Sequence, residues 1–118
     1  METNIAVAAL SALAQDNRIE VYRLLVQAGP QGVPAGAIAK KLSVAPNTLT
    51  FHFDRLRQAG LVTVTRRGRS MIYAARFDTM NALIGFLTEN CCGGAADRCA
   101  TPVCAPQAMA GTPKDTAA

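Results

Sequence analysis

Residues 45–73, APNTLTFHFDRLRQAGLVTVTRRGRSMIY, decide the fold of this chain. Pro46 suits the first position of a helix, and an apolar stripe at helical spacing follows it. That stripe consists of Leu49, Phe53 and Leu56. Gly60 ends the helix, and residues 61–65 and 70–74 are rich in strand-forming side chains on either side of an arginine-rich turn. A helix that can enter a DNA groove, next to a basic hairpin that can lie against phosphates, predicts a winged helix-turn-helix.

Further helices are predicted on both sides of this stretch. The first rests on apolar side chains at helical spacing, namely Ile5, Ala9, Leu10 and Leu13. Residues 17–28 form the second, with Asp16 as its expected N-cap, and residues 35–42 form the third. A last helix covers about residues 77–89. The predicted fold class is therefore mainly α with a small β-hairpin, a winged helix-turn-helix in the order ααααββα.

The composition of the chain changes after Asn90. Residues 1–90 are predicted to form a winged-helix domain for DNA binding and dimerisation. Residues 91–118, rich in Gly, Ala, Pro, Thr and Cys without apolar periodicity, are predicted to form a cysteine-containing, largely flexible tail. No apolar run reaches the roughly 18 residues that a membrane span needs, and the N-terminus lacks the basic start of a secretory signal. We therefore expect a cytoplasmic protein with no membrane partner.

Basic charge is concentrated on the stretch that contains the predicted helix and hairpin. Residues 35–76 carry eight basic side chains and a single acidic one, Asp54, whereas the whole chain has a net charge of +4. Such a concentration is the electrostatic footprint of a polyanion-binding surface. Together with the helix and hairpin it indicates double-stranded DNA as the partner.

The predicted DNA-contacting side chains fall into three groups. Asn47, Thr48 and Thr50 lie on the first turns of the helix, where Asn can pair with adenine and Thr can contact bases. His52 is the only histidine and cannot make a metal site by itself, so a structural or phosphate-contacting role is expected. The remaining predicted residues are, in sequence order, Lys40, Lys41, Phe51, Arg55, Arg57, Arg66, Arg67 and Arg69. Arg55 and Arg57 are better placed for the DNA backbone than for bases, and the three arginines of the hairpin turn are expected to contact phosphates or the minor groove.

The segment from about residue 10 to residue 73 resembles the ArsR/SmtB family of small winged-helix repressors. ALAQDNRIEVYRLL, residues 12–25, resembles the opening helix pair of that family. TLTFHFDRLRQAGLV, residues 48–62, resembles its recognition helix and the start of its wing, and RRGRSMIY, residues 66–73, its wing tip and return strand. The resemblance implies a homodimer that pairs through its first and last helices, binds a near-palindromic operator, and dissociates when a metal or metalloid binds.

A dimer is also expected on geometric grounds. Two recognition helices must be spaced by about one DNA turn, roughly 34 Å, and this chain offers one such helix. The first and last helices are rich in alanine and leucine, and are more apolar than a small monomer requires.

The family's best-known sensor sites are absent from this sequence. Residues 32–42, GVPAGAIAKKL, contain no cysteine where arsenic-sensing members have a Cys-Val-Cys-type motif. The last helix offers Asp78 but no histidine, so the zinc-sensing site of the family is missing as well.

All four cysteines lie after Glu89, at Cys91, Cys92, Cys99 and Cys104. In a cytoplasmic chain such a cluster indicates metal binding or redox sensing rather than a disulfide framework. The cluster resembles the relocated cysteine site of family members that sense trivalent arsenic. Soft thiolates select thiophilic ions, so we expect As(III) or Sb(III) as the inducer, bound by Cys91, Cys92 and Cys99 with Cys104 in reserve.

Several alternatives remain open at this cluster. The four thiolates could hold Zn²⁺ or Cd²⁺ in a tetrahedral site, although no CxxC pair is present. They could instead form a reversible disulfide that reports oxidation. A methylated trivalent arsenical needs only two thiolates, for which the adjacent pair is suited.

An enzymatic role is not expected. A cysteine-dependent arsenate reductase needs a phosphate-type cradle near its thiolate, and CCGGAADRC is followed by no helix that could supply one. A metallochaperone would not need the net charge of +7 on the helix-and-wing segment. No constitutive cofactor is predicted.

Overall fold

The computed structural model describes residues 1–94. Its elements, in chain order, are α1 (Thr3–Leu13), α2 (Asp16–Ala28), β1 (Val33–Pro34), α3 (Ala35–Leu42), α4 (Pro46–Gln58), β2 (Val62–Arg67), β3 (Ser70–Ala75), α5 (Phe77–Thr88) and a 3₁₀ turn (Cys91–Gly94). The predicted fold class, mainly α with a β-hairpin in a winged helix-turn-helix, is confirmed. No helix within residues 1–94 has the length and apolar content required to cross a bilayer.

The sheet has a third strand that the sequence analysis missed. β1 pairs antiparallel with β3, so the sheet order is β1-β3-β2. A strand of two residues is too short to show periodicity, and its second residue, Pro34, is acceptable because edge strands tolerate a missing N–H donor. Gly32 precedes this strand with a φ of +79°, and a Cβ on it would lie 2.6 Å from the carbonyl oxygen of Tyr73.

Two details of the predicted boundaries were wrong. Asp16 is the first residue of α2 rather than its cap, and the side chain of Gln15 caps the helix instead by accepting from the Arg18 N–H at 3.1 Å. The turn between the strands contains two residues, Gly68 and Arg69, so β2 extends to Arg67. Gly68 has a φ of +61°, which allows this tight connection.

The core lies within the compact unit Met1–Leu83. The predicted stripe of α4 is confirmed, since Leu49, Phe53 and Leu56 are each at most 2% exposed. The other large side chains that are fully buried are Val21, Leu25, Ile38, Leu61 and Val62. A second unit begins at Ile84, and the predicted boundary after residue 90 stays a prediction.

The first helix faces the core with its smallest side chains. Ala6, Ala9 and Ala12 are the buried residues of α1. Ile5 and Leu10, which helped to predict this helix, are 47% and 43% exposed. The spacing therefore predicted the helix correctly, but the large side chains do not serve the core of this chain.

Candidate nucleic-acid interface

The helix-turn-helix consists of α3, the turn of Ser43, Val44 and Ala45, and α4. Ser43 ends α3 in the left-handed conformation, with φ 55° and ψ 44°. The Val44 N–H donates to the Ala39 carbonyl at 3.1 Å. The chain is thus reversed within three residues, and Pro46 opens α4 at a position where its missing N–H costs nothing.

The first turn of α4 exposes three short polar side chains, Asn47, Thr48 and Thr50. The Asn47 side-chain oxygen accepts from the Thr48 N–H at 3.0 Å. The Thr50 hydroxyl donates to the Pro46 carbonyl at 2.9 Å, so its methyl group and a lone pair remain at the surface. This end of α4 can therefore present hydrogen-bonding and methyl groups to base edges.

The wing, defined here as β2, the turn Gly68-Arg69 and β3, carries three arginines at its tip. Arg66, Arg67 and Arg69 are all exposed. The Arg66 Nε donates to the Gly68 carbonyl at 3.2 Å, which fixes one guanidinium across the turn. Because the positive charges stand at the end of a paired ribbon, the tip is suited to contact with phosphates.

Further cations flank the same surface. Lys40 and Lys41 are exposed in the last turn of α3, and Arg55 and Arg57 are exposed in the last turn of α4. The Arg57 guanidinium lies 3.6 Å from the Asp54 carboxylate, and both side chains are about half exposed. Such an exposed pair contributes little to stability, so Arg57 remains available to a phosphate.

His52 does not lie on the exposed surface with the other predicted contacts. It is 4% exposed, and its Nδ1 accepts from the Arg18 Nε at 3.2 Å. Burial, and then the positive charge of Arg18, lower the pKa of His52 below its usual value. Two roles were expected for His52, a structural one and contact with phosphate. Its buried position fits the structural role. The role of Arg18 was not predicted, because no local pattern in the sequence joins side chains 34 positions apart.

The exposed side chains of Phe51 and Arg55 also contact other side chains of the protein. Phe51 is 49% exposed. The guanidinium carbon of Arg18 lies 5.5 Å from the centre of its ring, and that of Arg55 lies 5.0 Å away. Both distances are within cation–π range, so two cations lie close to the same aromatic ring.

The predicted cysteine site is only partly within the described residues. Cys91 and Cys92 lie in the 3₁₀ turn, and their sulfur atoms are 3.7 Å apart. Cys91 is disulfide-bonded. Cys99 and Cys104 lie outside the described residues. Within residues 1–94 the structure holds no group of three or more His, Cys, Asp or Glu side chains that could bind a metal ion.

Comparisons with known proteins agree with this geometry. A family model described as a helix-turn-helix domain matches residues 13–65. The uncharacterized HTH-type transcriptional regulator YceK of Bacillus subtilis is 30% identical over 77 residues, which are 64% of this chain and 76% of YceK.

Two solved structures extend the likeness to the whole fold. The ArsR-like transcriptional regulator from Rhodococcus sp. RHA1 has a TM-score of 0.62 at 24% identity, covering 80% of this chain and 85% of that one. The homodimeric winged helix-turn-helix DNA-binding domain Mb0332 from Mycobacterium bovis, a possible ArsR-family transcriptional regulator, has a TM-score of 0.60 at 23% identity. It covers 75% of this chain and 82% of that domain.

Proposed function

This chain belongs to the ArsR/SmtB family of winged-helix transcriptional regulators, and we propose that it is a homodimeric repressor released from its operator by trivalent arsenic or antimony. The observation that carries the DNA-binding part is the exposed polar first turn of α4 beside the three-arginine tip of the wing. The inducer part rests on the adjacent cysteines that follow α5.

Operator binding divides between the two surfaces. The first turn of α4 supplies Asn47, Thr48 and Thr50 to base edges in the major groove, which gives sequence specificity. The wing arginines and the lysines at the end of α3 neutralise phosphates, which gives affinity that depends on salt.

Dimerisation is supported by the exposed side of α1. Ile5, Val7 and Leu10 are 47%, 54% and 43% exposed on this helix. In the second unit, Ile84 and Leu87 are 45% and 57% exposed. Large apolar side chains left at a surface favour an interface. The similar domain Mb0332 is homodimeric, and a dimer supplies the second recognition helix that a near-palindromic operator needs.

Inducer capture is supported by the spacing of the two described sulfur atoms. The sulfur atoms of Cys91 and Cys92 lie 3.7 Å apart, close enough for both to bind one large, soft ion. Cys92 and Gly93 have φ values of 56° and 68°, so the chain turns back at this point. Cys99 is the proposed third ligand, with Cys104 in reserve. Because Cys91 is disulfide-bonded, capture of the ion requires the reduced chain.

That disulfide also favours a second candidate function, a thiol-redox sensor of the same fold. In this alternative, oxidation of two thiols to a disulfide changes the segment after α5 and thereby DNA affinity. An oxidant of the peroxide class accepts the two electrons.

The experiment is fluorescence anisotropy of the reduced protein on DNA from its own upstream region, titrated with arsenite. We expect release near one As(III) per site in the wild type. The variant carrying Cys91→Ser and Cys92→Ser should bind the DNA with unchanged affinity and resist arsenite. Cys104→Ser is the matched control, because it leaves the three proposed ligands in place.

Other inducers give distinct outcomes in the same assay. Release by Cd²⁺ or Zn²⁺ but not by arsenite would replace the inducer with a divalent soft metal. Release by peroxide, reversed by a dithiol reductant, would favour the redox sensor. Arsenite release of the double-serine variant at wild-type concentrations would show that the assigned cysteines are not the site.

A further inference from the structure

An open hollow of about 360 Å³ is formed by α1, the start of α2 and the C-terminal half of α4, all within the unit Met1–Leu83. Its volume falls within the range of small-molecule sites. Ala8 and Ala12 line the α1 side, and their small side chains leave the space open. Ser11 and Gln58 contribute a hydroxyl and an amide to its wall. The hollow is therefore partly apolar and carries a few hydrogen-bonding groups.

Two arginines and an aromatic ring also line this hollow. Phe51 is half exposed, and the guanidinium carbons of Arg18 and Arg55 lie 5.5 Å and 5.0 Å from its ring centre. Arg18 is held in place because its Nε donates to His52 at 3.2 Å. The Phe51 ring carries no charge, and His52 accepts the hydrogen bond through an unprotonated nitrogen. Neither side chain therefore neutralises the two arginines.

The charge of this pair is left unbalanced. Within residues 1–94 the two ion pairs are Arg57 with Asp54 and Arg76 with Asp78, and neither involves Arg18 or Arg55. Two like charges held near one ring repel each other, and an anion bound between them removes that repulsion. Guanidinium groups are also the preferred partners of planar carboxylates, which they can contact with two parallel hydrogen bonds.

We propose that this hollow binds a small organic carboxylate with a planar apolar body. The carboxylate lies between Arg18 and Arg55, and the planar body packs on Phe51 and the alanines of α1. Ser11 and Gln58 complete the hydrogen bonds. No cysteine within residues 1–94 lines this hollow. Part of its wall is the recognition helix itself, so an occupied hollow engages Phe51 and Arg55, two side chains assigned to DNA contact.

The test is a titration of the reduced, full-length protein with sodium benzoate, followed by NMR of the single histidine. His52 is hydrogen-bonded to Arg18, so its ring signals report on the hollow. We expect a saturable shift with a dissociation constant of about 1 mM, as is usual for a ligand of this size. Arg55→Gln should weaken binding about tenfold. Arg57→Gln, an equal change of charge on the same turn of α4, should leave the dissociation constant unchanged.

Further measurements distinguish a site that is specific for carboxylates from a surface that attracts any anion. Phe51→Ala should weaken benzoate about tenfold and leave inorganic phosphate unaffected. Absence of a saturable shift would overturn the proposal, as would equal weakening by Arg55→Gln and Arg57→Gln. If inorganic phosphate bound as tightly as benzoate, with no effect of Phe51→Ala, the hollow would be a contact for the DNA backbone. None of these outcomes depends on whether arsenite releases the operator.

Discussion

Phe53 of the recognition helix and Tyr73 of the wing stack face to face, with ring centres 3.7 Å apart and 14° between the ring planes. Phe53 is buried and Tyr73 is half-buried. Tyr73 also pairs with Val64 of β2 and Val33 of β1, because it lies on the central strand of the sheet. This aromatic contact therefore helps to fix the recognition helix and the wing relative to each other.

Loss of this stack should weaken both the fold and the DNA complex. Replacement of Tyr73 by leucine keeps an apolar side chain but removes the ring contact, which is worth about 0.5–1.5 kcal/mol beyond its buried area. We expect the free energy of unfolding to fall by about 1 kcal/mol and operator affinity to fall with it. Urea unfolding and fluorescence anisotropy measure the two effects. Met71→Ala, on the same strand at a 40% exposed position, should change stability by less than about 0.5 kcal/mol.

The buried histidine makes stability depend on pH. Burial first, and the Arg18 charge second, lower the pKa of His52 below its usual value of 6.5. The folded state thus binds the proton less tightly than the unfolded state does. The stability contributed by neutral His52 is present above about pH 6.5 and is lost as the pH falls through the lowered pKa.

Two measurements test this dependence. NMR titration of the single histidine should give a pKa below 6.5. Urea midpoints should fall between about pH 7.5 and pH 5 in the wild type. His52→Gln keeps an acceptor for Arg18 and removes the titration, so its midpoints should fall less. A histidine pKa at or above 6.5 would contradict the burial that we describe.

The wing arginines should determine how DNA binding responds to salt. Neutralising one phosphate contributes about 0.9 to the slope of log affinity against log salt. Arg67→Gln or Arg69→Gln should therefore lower that slope by about 0.9 per chain, and by about twice this value in a dimer with both wings bound. Anisotropy titrations at several salt concentrations give the slope.

Arg76 offers a control for this prediction. It lies in the same basic segment, but it follows β3 at the end of the strand away from the tip of the wing. Arg76→Gln should leave the salt slope unchanged. An equal change of slope for Arg76 and the wing-tip arginines would mean that overall charge, and not wing contact, controls binding.

Two glycines on either side of β1 should respond to alanine in opposite directions. Gly32→Ala places a Cβ 2.6 Å from the Tyr73 carbonyl at a φ of +79°, and should destabilise the protein by about 2–4 kcal/mol. Gly36 lies in α3 with nothing within 4 Å of an added Cβ. Gly36→Ala should stabilise by about 0.5–1 kcal/mol. Thermal or urea unfolding measures the stability of both variants. If Gly32→Ala left the free energy of unfolding unchanged, β1 would not be held against β3.

Local patterns were sufficient for most of the fold but not for its long-range contacts. The stripe of Leu49, Phe53 and Leu56 has helical spacing, and all three residues are buried. β1 was not predicted, because a strand of two residues is too short to show an alternating pattern of side chains. Its pairing also depends on Tyr73, some 40 positions away. The polar end of α4 and the arginine tip were predicted as surface features and are exposed.

The environment of His52 shows where sequence reasoning ends. It lies three residues after Leu49 and four before Leu56, so helical spacing places it on the buried stripe of α4. Its hydrogen-bond partner, Arg18, reaches it from another helix, and no local pattern in the sequence marks that contact. The hollow beside it likewise arises from small side chains of α1 that no motif marks.

The inward alanines of α1 have a consequence for how much of this regulator a cell retains. A helix that gives only methyl groups to its own core, at roughly 0.8 kcal/mol per buried carbon, is weakly held in a single chain. If its outer side chains find a partner in a second copy, thermal stability rises with protein concentration. Scarce protein would then be frayed at this helix and open to proteolysis, whereas abundant protein would be protected by dimerisation, so that turnover would fall as operator occupancy rises.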